Sequence, residues 1–180
     1  MVERRALPVV NDFGARTLWG LWVLPYPPGK AGEGKPVPFL RTQFSELGGR
    51  FSPDTRYIAY QSNESGKNEI YVRPFNAASP AAPQEGKWMV SRGGGTQPRW
   101  RRDGKELYFQ SADGMVMAVD VSANPVFQPG VPKALFPVPQ GATVWDSAPD
   151  GQRFLFAVPV NDRTRAPFTL VLNWQAGLKK

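Results

Sequence analysis

Short apolar runs recur along the chain, and each follows a polar turn that contains an aspartate. The runs are YIAY at 57–60, LYF at 107–109 and FLF at 154–156, and the preceding aspartates are Asp54, Asp103 and Asp150. Asp103 follows Asp54 by 49 positions, and Asp150 follows Asp103 by 47. Continuous apolar runs of this length, bounded by turn formers, are typical of strands covered on both faces. The spacing predicts a structural repeat of about 48 residues.

The pattern around each aspartate predicts a series of short strands with the same order in every unit. The predicted strands are 49–52, 56–61, 69–75 and 87–91 in the first unit, 97–102, 106–111, 116–121 and 133–138 in the second, and 143–147, 153–160 and 168–174 in the third. Before them, LWVLPY at 21–26 and PFL at 38–40 match IYVRPF at 70–75 and KWM at 87–89. No segment shows sustained helical periodicity, so little helix is expected.

Four short strands per repeat are the signature of a β-propeller blade, whose faces must be covered by neighbouring blades. We therefore predict an all-β fold, a partial β-propeller of about three and a half four-stranded antiparallel blades. The expected divisions are an N-terminal extension at 1–17 and a propeller segment at 18–180, with an incomplete blade at 18–44 and blades at 45–92, 93–141 and 142–180.

The predicted strand count leaves the closure of the ring open. The chain could close as a distorted four-bladed ring, remain an open row, be completed by other chains, or form the end of a longer protein. Open blade edges expose backbone donors and apolar faces, so self-association through those edges is expected of an open row.

The composition removes several classes of function. The 180 residues include no histidine and no cysteine, which excludes Ser-His-Asp and Cys-His catalysis and the usual zinc sites. No window approaches the ~20 apolar residues of a membrane-spanning helix. The first twenty residues lack the apolar core and cleavage site of a signal peptide, so none is predicted. Basic residues are scattered, and the net charge of +7 indicates solubility rather than nucleic-acid binding.

The candidate binding residues lie on the first strand of each predicted blade. Arg50, Arg99 and Asp146 each precede a turn aspartate by four positions, so they occupy equivalent places. Since first strands line the central channel of a propeller, these side chains are expected to form a polar channel mouth that binds an anionic ligand or a peptide terminus. Arg101, Gln97 and Glu46 complete the candidate set. Alternatively, the same side chains could form ion pairs between blades or lie in solvent.

The remaining motifs have structural interpretations. Asp54, Asp103 and Asp150 are expected to accept backbone hydrogen bonds within their turns, with Gly104 and Gly151 supplying a permissive backbone, because carboxylates one blade apart are too distant to share a metal ion. The tryptophans are expected to pack between blades. Residues 93–95 form a Gly-Gly-Gly segment that lacks the helix and the Lys-Ser/Thr of a phosphate loop, and it is expected to let the chain pass between blades.

The repeat units FSPDTRYIAYQSNESGKNEIYVRPF and PRWRRDGKELYFQSADGMVMAVDV resemble the WD40-like, TolB-type propeller repeat, often called PD40. The ending FLFAVPVNDRTRAPFTLVLNWQAGLKK is similar to the C-terminus of propellers attached to bacterial serine/threonine protein kinases, especially those of acidobacteria. The resemblance covers residues 18–180. Two departures are Thr55, which replaces the glycine of the motif, and Trp145-Asp146-Ser147, which replaces its usual aromatic start.

In the kinase-attached proteins a kinase domain and a membrane helix precede the propeller, which is regarded as an extracytoplasmic sensing or interaction domain. The resemblance thus implies a non-catalytic module that binds a protein, a peptide or a small anionic ligand, without a cofactor and outside the cytoplasm. It implies no kinase activity for these 180 residues. One alternative is the gating propeller of a prolyl-oligopeptidase or tricorn-type peptidase. Another is a propeller hydrolase or lyase, which would need a metal cluster or a positioned base.

Overall fold

The computed structural model describes residues 9–13, 18–25, 34–80, 82, 85–123 and 126–160. These residues form strands and no helix, which confirms the all-β prediction. The strands are β1 (Val9–Phe13), β2 (Trp19–Val23), β3 (Val37–Leu40), β4 (Glu46–Phe51), β5 (Tyr57–Ser62), β6 (Glu69–Pro74), β7 (Trp88–Met89), β8 (Gly95–Trp100), β9 (Glu106–Ser111), β10 (Met115–Ser122), β11 (Gln128–Pro129), β12 (Lys133–Pro137), β13 (Val144–Ser147) and β14 (Phe154–Ala157).

The described strands form four antiparallel sheets that follow one another along the chain. The first sheet has the order β1-β2-β3, and the second has the order β4-β5-β6-β7. The third contains β8, β9, β10 and β12 in that order, with the short β11 paired to the far end of β10. The fourth pairs β13 with β14. Each sheet is a blade or part of one, so the chain is a partial β-propeller.

Two strands were not predicted from the sequence. β1 lies within residues 1–17, which were expected to form an extension, and it pairs with β2 along its whole length. β11 comprises only two residues of the loop before β12. The strand predicted at 168–174 lies outside the described residues. The division of the chain into blades at 44, 92 and 141 stays a prediction.

Side chains that alternate along the middle strands fill the spaces between neighbouring sheets. On β5, Tyr57 and Ala59 belong to a core shared with the third sheet, whereas Ile58 and Tyr60 belong to cores shared with the first. All four are buried. Full burial of an aliphatic or aromatic side chain contributes about 1.5–3 kcal/mol. The continuous apolar run of β5 is therefore a strand covered on both faces, as predicted.

The same alternation joins the third sheet to the fourth. On β9, Leu107 and Phe109 pack toward the second sheet, and Tyr108 packs with Trp145 and Phe154 of the fourth. The rings of Tyr108 and Phe154 meet edge to face with centroids 5.3 Å apart. Three layers of side chains thus link four sheets in one row.

A buried carboxylate organises the linker between the second and third sheets. Glu69, on β6, is 2% exposed, and its Oε1 accepts hydrogen bonds from the backbone N–H groups of Gly93 and Gly94 at 3.0 and 2.9 Å. Its Oε2 accepts a hydrogen bond from the hydroxyl of Ser91. A Cβ on Gly95 would lie 2.6 Å from the Ser91 Oγ, so only glycine fits there. The glycine segment is held by a side chain of the preceding blade.

The aspartate turns share one hydrogen-bonding pattern, in which the carboxylate accepts from the backbone N–H two residues further on. The acceptor–donor pairs are Asp54–Arg56 at 3.1 Å, Asp103–Lys105 at 3.0 Å and Asp150–Gln152 at 2.9 Å. The residue after each aspartate has a left-handed backbone, with φ of +60° at Thr55, +71° at Gly104 and +69° at Gly151. Thr55 is β-branched, and this conformation costs a non-glycine residue about 1–2 kcal/mol.

Replacing Thr55 with glycine is expected to stabilise the protein by about 0.5–1 kcal/mol, because relief of the left-handed strain exceeds the entropy that glycine loses on folding. The measurement is the urea unfolding midpoint at a constant slope of free energy against denaturant.

Gly104→Thr is the reverse change at the equivalent turn position. A Cβ on Gly104 would lie 3.8 Å from its nearest neighbour, so the added Cβ itself meets no close contact. It is expected to cost about 1–2 kcal/mol. A lower midpoint for Thr55→Gly would contradict the proposed strain.

Candidate ligand-binding cleft at the first strands

A cleft of about 790 Å³ lies where the first strands of the second, third and fourth sheets meet. We call it the arginine cleft. Residues of β4, β8, β13 and β14 and of the turn after β4 line it, and they are Arg50, Phe51, Ser52, Pro53, Thr55, Arg99, Trp100, Val144, Trp145, Asp146, Leu155, Phe156 and Ala157. The volume is within the range of about 300–1,000 Å³ typical of small-molecule sites.

Three of the six candidate residues meet in the arginine cleft. Arg50, Arg99 and Asp146, at equivalent positions of β4, β8 and β13, all line it. The equivalence in sequence therefore corresponds to proximity in space, because the three first strands converge. Gln97, Glu46 and Arg101 do not line this cleft.

Arg99 is buried and held by backbone carbonyls of two sheets. Its Nε donates to the carbonyl of Trp145 at 3.1 Å, and its Nη1 donates to the carbonyl of Pro98 at 2.8 Å. The guanidinium carbon lies 5.6 Å from the centre of the Trp145 ring. Burial, followed by repulsion from Arg50, lowers the pKa of Arg99 to about 10. Arg99 remains charged at neutral pH and joins the third sheet to the fourth.

Arg50 and Asp146 are the exposed charges of the cleft. The Nη1 of Arg50 donates to the carbonyl of Gly49 at 3.3 Å. The Asp146 Oδ1 lies 3.6 Å from the Arg99 Nε and accepts from the N–H of Ser147 at 2.9 Å. The Asp146 side chain is 73% exposed, so it compensates Arg99 only partly. Two arginines against one aspartate leave the cleft with a positive charge.

Gln97 lies at a β-bulge of β8 and does not line the cleft. Its backbone is left-handed, with φ of +53°, at the shift of register between Thr96 and Arg99. Its N–H donates to the Gln61 Oε1 at 3.1 Å, and its Nε2 lies 3.4 Å from the Thr143 carbonyl. Gln97 bridges three sheets rather than entering the cleft.

Glu46 is buried at the start of β4, away from the arginine cleft. Its Oε1 accepts a hydrogen bond from the Thr42 hydroxyl, but its Oε2 has no hydrogen-bond donor among the described residues. Desolvation by burial raises the pKa of Glu46. Repulsion from Glu64 adds to this effect, and the Thr42 hydrogen bond and Arg73 oppose it.

Arg101 belongs to the turn after β8. Its Nε and Nη2 bind the two carboxylate oxygens of Asp103 at 2.8 and 2.9 Å, and its Nη1 lies 2.8 Å from the Glu106 Oε1. The hydrogen bond to Asp103 raises the pKa of Arg101, and the same contact lowers the pKa of Asp103. A Cβ on Gly151 would lie 2.8 Å from the Arg101 Cδ, so Arg101 packs against the turn of the fourth sheet.

Two tryptophans of the cleft were expected only to pack between blades. Trp100 is half-buried, and its Nε1 donates to the Arg50 carbonyl at 3.1 Å. Trp145 stacks on Phe154 and Phe156, yet its buried Nε1–H has no acceptor among the described residues. Buried donors are usually paired. The sequence signal was the direct adjacency of both tryptophans to the candidate residues Arg99 and Asp146.

Two further kinds of feature were sought among the described residues. No group of three or more potential metal-binding side chains occurs in this part of the chain. Nor does any helix here have the length and hydropathy that crossing a bilayer requires.

A comparison with solved structures identifies the fold. The chain is similar to the crystal structure of TolB from Acinetobacter baumannii, with a TM-score of 0.58 and 13% sequence identity over 86% of this chain. The match covers 35% of the TolB chain, so this chain spans about a third of that protein's length. No family model and no curated protein matches the sequence. The fold is therefore that of a TolB-like β-propeller segment; at this identity the likeness establishes the fold alone.

The raised pKa of Glu46 predicts a pH dependence of stability. The unfolded carboxyl has its ordinary pKa of 4.5, and the folded one has a higher pKa. The folded state thus binds the proton more tightly, and wild type loses stability as the pH rises from 4.5 through the folded pKa. Glu46→Gln, which stays neutral, is expected to gain stability relative to wild type between pH 4 and pH 8, measured by urea unfolding.

Glu85→Gln, which changes an exposed carboxylate, is the matched control and is expected to shift the midpoint little at either pH. A constant difference between wild type and Glu46→Gln from pH 4 to pH 8 would refute the raised pKa.

Proposed function

We propose that this chain is a non-catalytic binding module whose arginine cleft holds an anionic group of a protein or peptide partner, or of a small ligand. The observation that carries the proposal is the meeting of Arg50 and Arg99 opposite a single aspartate, Asp146, in a cleft of about 790 Å³. Guanidinium groups present donors in a planar fork that matches the geometry of a carboxylate or phosphate.

The arrangement of Arg99 supports binding because its guanidinium is held before any ligand arrives. Hydrogen bonds to the carbonyls of Pro98 and Trp145 fix its position. Less conformational entropy is then lost on binding, which favours affinity. Arg50 is exposed and supplies positive charge to the cleft, whereas Arg99 also joins the third sheet to the fourth.

The sequence supports a non-catalytic role. Without histidine or cysteine, the chain has neither the usual general base near neutral pH nor a thiol nucleophile. The arginine cleft contains one carboxylate, Asp146, whose nearest charged partner is Arg99. Such a site is suited to recognition by charge rather than to proton transfer.

For the wider protein, we propose that the chain is the C-terminal part of a receptor-kinase-like architecture in which the propeller senses ligands outside the cytoplasm. The repeat units and the ending at 154–180 support this assignment through their resemblance to kinase-attached propellers. The gene region upstream of Met1 is expected to encode a kinase domain and a membrane helix. A peptidase domain beside the propeller would instead favour the gating-propeller alternative.

The charge of the cleft predicts opposite effects for two exposed substitutions. With N-acetylalanine as the probe, Arg50→Gln is expected to weaken binding about two- to fivefold, and Asp146→Asn to strengthen it by about the same factor, as expected for exposed charges worth up to about 1 kcal/mol. Dissociation constants would be measured by NMR titration at low ionic strength. The amide of N-acetylalanine, which lacks the carboxylate, is expected not to bind.

Arg102→Gln is the matched control, because Arg102 is also exposed but does not line the cleft. It removes the same charge and is expected to leave the affinity within about twofold. Equal effects of Arg50→Gln and Arg102→Gln would show that only the net charge matters, and the proposed site would be wrong.

A further inference from the structure

A second cleft adjoins the arginine cleft. It has a volume of about 420 Å³ and lies between the aspartate turns of the second and third sheets. We call it the turn cleft. Ser52, Pro53 and Trp100 line both clefts. The two clefts therefore lie side by side with Trp100 between them, and together, from the first strands to the end of β10 at Ser122, we call them the groove.

Trp100 is a fixed surface in the middle of this groove. Its Nε1 donates to the Arg50 carbonyl on the neighbouring sheet at 3.1 Å. Its ring meets Phe127 edge to face, with centroids 6.2 Å apart. A tryptophan held in this way offers a large contact area to a ligand at little cost in side-chain entropy. Beside it, Pro53 contributes a second apolar surface with few degrees of freedom.

The two ends of the groove differ in how their charged side chains are paired. The arginine cleft has an excess of positive charge, as described above. In the turn cleft Asp54 pairs with Arg56 at 2.6 Å and Asp103 pairs with Arg101 at 2.8 Å, and Lys105 adds one further positive charge. Apolar atoms of Tyr57, Val121 and Ala123 contribute to its walls. The groove thus complements a ligand with an anionic end and an extended, partly apolar body.

We propose that the groove binds the C-terminal segment of a polypeptide in an extended conformation. The terminal carboxylate lies at Arg50 and Arg99, an apolar side chain lies against Trp100, and the preceding residues occupy the turn cleft. An extended chain advances about 3.3 Å per residue, so several residues are needed to occupy both clefts. This inference rests on the proposed function and narrows it, because a small anion would occupy only one end of the groove.

Three probes separate a peptide site from an anion site. They are N-acetylalanine, the pentapeptide acetyl-Gly-Ser-Gly-Leu-Ala and the pentapeptide acetyl-Gly-Ser-Gly-Gly-Ala, each with a free carboxylate. The leucine pentapeptide is expected to bind the full chain about tenfold more tightly than N-acetylalanine, because its side chain is buried against Trp100. The glycine pentapeptide is expected to bind more weakly than the leucine pentapeptide. NMR titration gives the dissociation constants.

Ser122→Trp tests the turn cleft directly, since Ser122 is exposed and lines that cleft but not the arginine cleft. The variant is expected to lower the affinity for the leucine pentapeptide to that for N-acetylalanine, while N-acetylalanine binds as before. Ser79→Trp places the same bulk at an exposed serine that lines neither cleft, and it is expected to change neither affinity.

The outcomes distinguish the two proposals. Equal affinities of wild type for N-acetylalanine and both pentapeptides would overturn the peptide groove and leave anion binding in place. A gain for the leucine pentapeptide that survives Ser122→Trp would also overturn it. Failure of all three probes to bind would overturn both the groove and the proposed function.

Discussion

Mutual coverage of neighbouring sheets is the constraint on which the structure depends. A four-stranded sheet whose middle strands are apolar on both faces cannot be stable alone in water. In β5, Ile58 and Tyr60 are covered by the first sheet and Tyr57 and Ala59 by the third. The second and third sheets are each buried by a neighbour on both faces, and the row of sheets forms as a unit. The polar linkers, such as the one held by Glu69, set the position of one sheet relative to the next.

The candidate site results from the way the sheets pack in this row. Because the sheets pack face to face in the same order, their first strands converge, and equivalent positions on β4, β8 and β13 approach one another. Arg50, Arg99 and Asp146 meet for this reason, although each is separated from the next along the chain by more than forty residues. The groove beyond Trp100 has the same origin, since it lies between two turns that the repeat places side by side.

Much of this arrangement could be predicted from periodicity. The apolar runs, the spaced aspartates and the turn residues predicted the strands of the second and third sheets within a few residues of their observed ends. The equivalence of Arg50, Arg99 and Asp146 followed from counting back from the aspartates. Predictions were weaker where a residue's environment depends on a neighbouring sheet. Arg101 follows Arg99 by two residues and was predicted to belong to the same channel mouth. It instead binds Asp103 and Glu106, at the turn of its own sheet.

The sequence by itself determined the fold class and the strand order. Both depend on local patterns of apolar residues and turn formers, and each such pattern lies within a single short segment of the chain. Only the tertiary structure decided that Glu46 is buried with one oxygen unpaired among the described residues, that Gln97 occupies a left-handed bulge, and that Trp100 lies between two adjoining clefts. The physical reason is that burial, hydrogen-bond partners and cleft shape are properties of the contact between sheets, and residues distant in the chain create them together.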